Sequence, residues 1–184
     1  TGTGPWIAGE DVLLLSTQGI AAGAITAGDD VDIRATGTVS MGAAEATGLG
    51  RDDRTLNYVP FSTGNIFSIT EPTAPNGADI VVRSATGGIS GTSLTAGDDI
   101  DLSAIAGVIT LTGTSRARGV GVTGGASNIS MAAASLDIGA TYAFTDLTIS
   151  TPGTALMAAA QAGQDIRLNG GLVSEFRGTS LTAG

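Results

Sequence analysis

The chain has no cysteine and no histidine, and all eight of its basic residues are arginine. Without thiols or imidazoles there is no disulfide staple, no thiol chemistry and no zinc or iron site of the usual nitrogen and sulfur kind. Only hard, oxygen-bound cations stay open. The absence of lysine rules out a Lys–Asn isopeptide cross-link. Aromatic residues make up only 4% and charged residues only 14% of the 184 positions. So little ring volume cannot fill a wide core, and so little charge does not suit a surface of helices laced with Glu–Lys pairs. No apolar run approaches the ~18 residues that a membrane-crossing helix needs. The opening "TGTGPW" shows no basic-then-apolar leader, which fits a piece cut from a larger protein.

The net charge of −9 sets a second bound. A surface of that sign repels phosphate backbones, so nucleic acid is not an expected partner. What the chain does have is glycine, 29 of them, with Ala, Val, Ile and Leu supplying most of the 42% hydrophobic content. Small aliphatic side chains suit a narrow core built in layers.

One phrase recurs. It stands as "AGEDVLLLSTQGI" from Ala8, "AGDDVDIRATGTV" from Ala27, "NGADIVVRSATGGI" from Asn76, "AGDDIDLSAIAGVI" from Ala96 and "AGQDIRLNGGLV" from Ala162. Each copy has Gly, one variable residue, Asp, then aliphatic–any–aliphatic, and later a small position followed by another aliphatic. Gly9 and Gly28 lie 19 residues apart, and Gly77 and Gly97 lie 20 apart. That step is too short for a helical-hairpin repeat. "GTSLTAG" occurs twice, at Gly91–Gly97 and Gly178–Gly184, which reads as a repeat array continuing past this segment.

Within each copy the period is two. Val12/Leu14, Val31/Ile33, Ile80/Val82, Ile100/Leu102 and Ile166/Leu168 face one way, and Asp32, Asp101 and Arg167 the other. Ile25/Ala27 and Leu94/Ala96, just before the next Gly, add further short strands, as do Val39/Met41 and Ile109/Leu111. Three short strands per 19–20 residues with Gly and Asp at the corners predict an all-β fold, a parallel β-helix (solenoid). About nine coils would make a rod roughly 40–45 Å long at the ~4.8 Å strand spacing. The chain reads as one such segment over 1–184, with irregular stretches or loop excursions at about 42–75 and 113–160.

The phrases "AGDDVDIRATGTV", "LTAGDDIDLSA" and "AGQDIRLNGGLV" resemble the repeats of filamentous-haemagglutinin-like exoproteins, bacterial adhesins exported by two-partner secretion or autotransport. The resemblance covers the repeat copies and is lost in the two irregular stretches. It implies an extracellular or cell-surface right-handed parallel β-helix that acts as stalk and adhesive surface, with no catalytic residues to carry over. Its partners would be neighbouring repeats or identical subunits stacked end to end, and a glycan or protein of a host or neighbouring cell.

Three groups of residues stand out as site candidates. "GDDVD" (Asp29, Asp30, Asp32) and "GDDID" (Asp98, Asp99, Asp101) collect carboxylates that a calcium ion could use. Asp after Gly is also an ordinary turn residue that accepts backbone N–H groups, and two like charges one coil apart cost only about 1 kcal/mol in water. No cofactor is therefore expected. Arg51, Asp52, Asp53, Arg54, Tyr58, Phe61 and Phe67 combine both charges with aromatic rings in a stretch that interrupts the repeat, which suits ligand contact. Tyr142 and Phe144 of "TYAF" are read mainly as core. The paired acids also match the spacing of a polysaccharide-cleaving site, but without His or Lys an Arg would have to act as base, so no enzyme is expected.

Overall fold

The computed structural model describes residues 4–48, 77–119, 126–171 and 175–184. Among them the chain is all β, without a helix, and every strand pairing is parallel. No described helix is long and apolar enough to cross a membrane.

The strands form three ladders in which each strand pairs with its equivalent one repeat later. Ladder A is the eight-stranded sheet of short strands: Trp6–Ile7, Ile25–Ala27, Ala44–Ala46, Leu94–Ala96, Ser115–Ala117, Thr141–Ala143, Ala160–Ala162 and Leu181–Ala183. Ladder B follows the recurring phrase and aligns Val12, Val31, Ile80, Ile100, Ile129, Leu147 and Ile166. Ladder C aligns Ile20, Val39, Ile89, Ile109, Leu136, Ala155 and Phe176. B and C belong to one 12-stranded sheet because two long strands, Ile100–Leu111 and Ile129–Ile138, run through the corner between them. The register shifts between Ala104 and Val108, where the first of these takes its bend.

The core is what the alternation demands. Inward aliphatics of B and C stack on their own kind, with Ile33, Ile80, Ile100, Leu102, Ile109 and Ile129 among the largest fully buried side chains. β-branched residues hold extended backbone easily and fit this pleated stacking. Ladder A contributes the thin wall: Ala27, Ala46, Ala96, Ala117, Ala143 and Ala162 are all buried in one alanine column.

Two features differ from the sequence reading. Among the described residues the B ladder has seven members where the sequence suggests about nine coils, and Val31 pairs directly with Ile80 and Ala44 directly with Leu94. Seven rungs span roughly 30–35 Å at ~4.8 Å per rung. Conversely, the stretch 113–160 is regular where described. Ile129 and Leu147 take their places in ladder B although "SNISM" and "TDLTIS" have lost the glycine of the phrase. Ala44–Ala46, within the stretch 42–75, is likewise a paired strand of ladder A.

Candidate functional site

The aspartate of the repeat phrase sits just before ladder B, at a corner where the next repeat's backbone N–H needs an acceptor. Its side chain supplies one. Asp30 N–H donates to Asp11 Oδ1 (3.1 Å), Asp79 N–H to Asp30 Oδ1 (2.9 Å) and Asp99 N–H to Asp79 Oδ1 (3.0 Å). The run continues with Asn128 N–H to Asp99 Oδ1 (2.6 Å), Asp146 N–H to Asn128 Oδ1 (3.3 Å) and Asp165 N–H to Asp146 Oδ1 (3.1 Å). A buried backbone donor must be satisfied, and here a stacked side-chain ladder does so. Asn128 serves equally well because an amide oxygen accepts as a carboxylate does.

A second polar column lies one residue earlier. It holds the buried Asp29 and Asp98, then Ser127 and Thr145 in later repeats. The Ser127 hydroxyl donates to Asp98 Oδ1 (2.7 Å), and Ser127 N–H donates to Thr145 Oγ1 (3.0 Å). Where the two columns are both acidic, carboxylates gather in threes: Asp11, Asp29 and Asp30, and Asp79, Asp98 and Asp99. In each trio an oxygen from every residue lies within 4.8 Å of the others. Ala78 separates the trios.

These trios take in four of the calcium candidates, Asp29, Asp30, Asp98 and Asp99. The other two turn away. Asp32 receives both Nε and Nη2 of the buried Arg34 at 2.7 Å, and Asp101 meets Arg83 at 3.0 Å. Carboxylates held this close are chemically able to bind a hard cation, but they also compete for protons. Burial pushes Asp79 up to about 8, with the neighbouring Asp30, Asp99 and Asp98 adding to the rise, and burial takes Asp99 to about 6. A carboxyl raised this far favours its neutral form at neutral pH, which eases the repulsion within the second trio. At the other end of the ladder, hydrogen bonding from Arg167 holds Asp146 below the usual carboxylate range.

The contact candidates Arg51, Asp52, Asp53, Arg54, Tyr58, Phe61 and Phe67 lie outside the described residues. The structure instead brings a different aromatic and cationic group to the outer face of ladder A. Its outward column runs Thr26, Glu45, Thr95, Arg116, Tyr142, Gln161 and Thr182, each opposite the next. The Arg116 guanidinium lies over the Tyr142 ring at 4.9 Å, and Arg118 pairs with Glu45 at 3.0 Å.

Phe144 corrects the reading of "TYAF" as core: it is 60% exposed. Thr141 and Ala143 take the two inward places, so period two sends Tyr142 and Phe144 outward. The ring lies over Gly119, whose φ of +71° and lack of Cβ leave it room. Together Arg116, Arg118, Tyr142, Phe144 and Gln161 line an open cleft of ≈ 480 Å³. The alternation around Thr141 was the signal in the sequence, but Arg116 is 26 residues away and only the ladder puts it beside Tyr142.

Comparison with protein-family models, with curated proteins and with solved structures finds no match to this chain.

Proposed function

We propose that the chain is a right-handed parallel β-helical segment of a large secreted or surface-exposed bacterial protein, serving as stalk and adhesive surface. The observation that carries this reading is the in-register parallel pairing of each strand with its equivalent one repeat on, across all three ladders. A solenoid of this kind extends by adding repeats to one chain, so its natural use is a rigid spacer with a long lateral face. The reading includes no catalytic centre and no resident metal. The test is the size of the intact polypeptide in its source: a mass far above 18.0 kDa agrees with a stalk, and a mass near it removes that reading.

The second reading is a subunit that stacks end to end into an extracellular filament. It rests on the outermost described strands of ladder A, Trp6–Ile7 and Leu181–Ala183, each paired on one side among the described residues. Sedimentation of this chain at increasing concentration discriminates: growing species support the filament, a constant monomer the stalk.

A further inference from the structure

We propose that the cleft on the outer face of ladder A binds a carboxylate-bearing polysaccharide, with Phe144 stacking on a sugar ring and Arg116 pairing with its carboxylate. The proposal rests on the adhesive reading above and names a ligand class and a place for it.

Charge is the first argument. Six of the arginines lie among the described residues, and five of them meet carboxylates: Arg34, Arg83, Arg118, Arg167 and Arg177. Arg116 makes no ion pair there; its guanidinium lies instead over Tyr142. In a chain of net charge −9 with 17 acidic residues, a surface arginine left without a carboxylate stands out. A guanidinium fixed on a ring is preorganised for a planar carboxylate, which it meets bidentately.

Shape and composition are the second argument. Phe144 is an exposed ring held at a defined place by the glycine beneath it, with Gln161 one rung from Tyr142 and Arg118 beyond. A flat ring takes the C–H face of a pyranose, and amide and guanidinium groups take its hydroxyl rim. A protein partner fits less well. A stable protein interface covers about 800 Å² per side around a desolvated apolar centre. Here the rungs on either side of the Arg116–Tyr142 pair are Thr95, Gln161 and Thr182, all polar.

The test is calorimetric titration of the chain with polygalacturonate and with its methyl ester, using wild type, Arg116→Ala, Phe144→Ala and the remote Arg177→Ala. Expected are binding to the acid, loss of roughly tenfold or more with the ester, the same loss in the first two variants, and none in Arg177→Ala. Both cleft side chains are exposed, so melting temperatures should match wild type and confirm that the variants fold. Equal binding of acid and ester, or full binding by Arg116→Ala, overturns the proposal. If the chain binds neither polymer but still attaches to cell surfaces, the ligand class is wrong and the adhesive reading survives. If it attaches to nothing, both readings fall.

Discussion

Asp79 shows how a single residue can be structurally required and electrostatically costly at once. Its Oδ1 holds the Asp99 N–H at 3.0 Å, yet burial among three other aspartates raises its pKa to about 8. An acid whose folded pKa exceeds its unfolded 3.8 binds more protons folded than unfolded, so its contribution is fully present below about 3.8 and is lost as pH rises toward 8. Melting temperature should therefore fall across that window. Asp79→Asn keeps the acceptor, as Asn128 does two corners further along, and removes the charge. We expect it to raise stability at pH 8 by on the order of 1 kcal/mol or more, leave it unchanged near pH 3.5, and flatten the pH profile. A variant that melts earlier at pH 8 would show that the carboxylate is needed as such.

A second residue-scale contrast tests the alternation. Ile100 is buried and stacks between Ile80 and Ile129, so Ile100→Asp should cost several kcal/mol by placing an unpaired charge in the column. Its neighbour Asp101 makes a part-exposed pair with Arg83, and Asp101→Asn should cost under about 1 kcal/mol. Urea denaturation of both measures the difference; equal losses would mean that the two faces have been misassigned.

At the scale of elements, the corners decide how tightly rungs can stack. A Cβ on Gly139 would run into the carbonyl oxygen of Gly113 in the rung before it. Gly139→Ala should cost about 1–3 kcal/mol, because the obstacle is backbone and cannot swing aside. Gly4→Ala meets nothing and should be neutral, so thermal melts of the pair separate close approach from loss of glycine as such. Elements with the full Gly-x-Asp phrase were legible as strands, down to the inward pairs Val31/Ile33 and Ile100/Leu102. The rungs at Ile129 and Leu147 were not, because Ala126 and Phe144 stand where the phrase has glycine, and Asn128 where it has aspartate, while the side-chain acceptors are preserved. A ladder selects for acceptors and small corners, and several residues meet that requirement.

At the scale of the whole molecule, the two acidic trios set an expectation about ions. Each trio already spends oxygens on backbone N–H groups, and the raised pKa of Asp79 favours its neutral form in the second. A calcium chelator should therefore leave the melting temperature within error; a fall of many degrees would mark a structural ion. Composition, charge and the 19–20-residue phrase by themselves determined the β class, the narrow aliphatic core and the ladder of corner aspartates, because stacking makes each repeat's neighbours its own equivalents. Only the tertiary structure decided the number of rungs and the outer cleft. Whether two repeats touch depends on what lies between them in the chain: Val31 meets Ile80 across 49 positions, and Arg116 meets Tyr142 across 26. Sequence distance within an interrupted array does not specify which repeats become neighbours, whereas parallel pairing does, and it is pairing that sets Arg116 beside the half-buried Tyr142, next to the exposed Phe144.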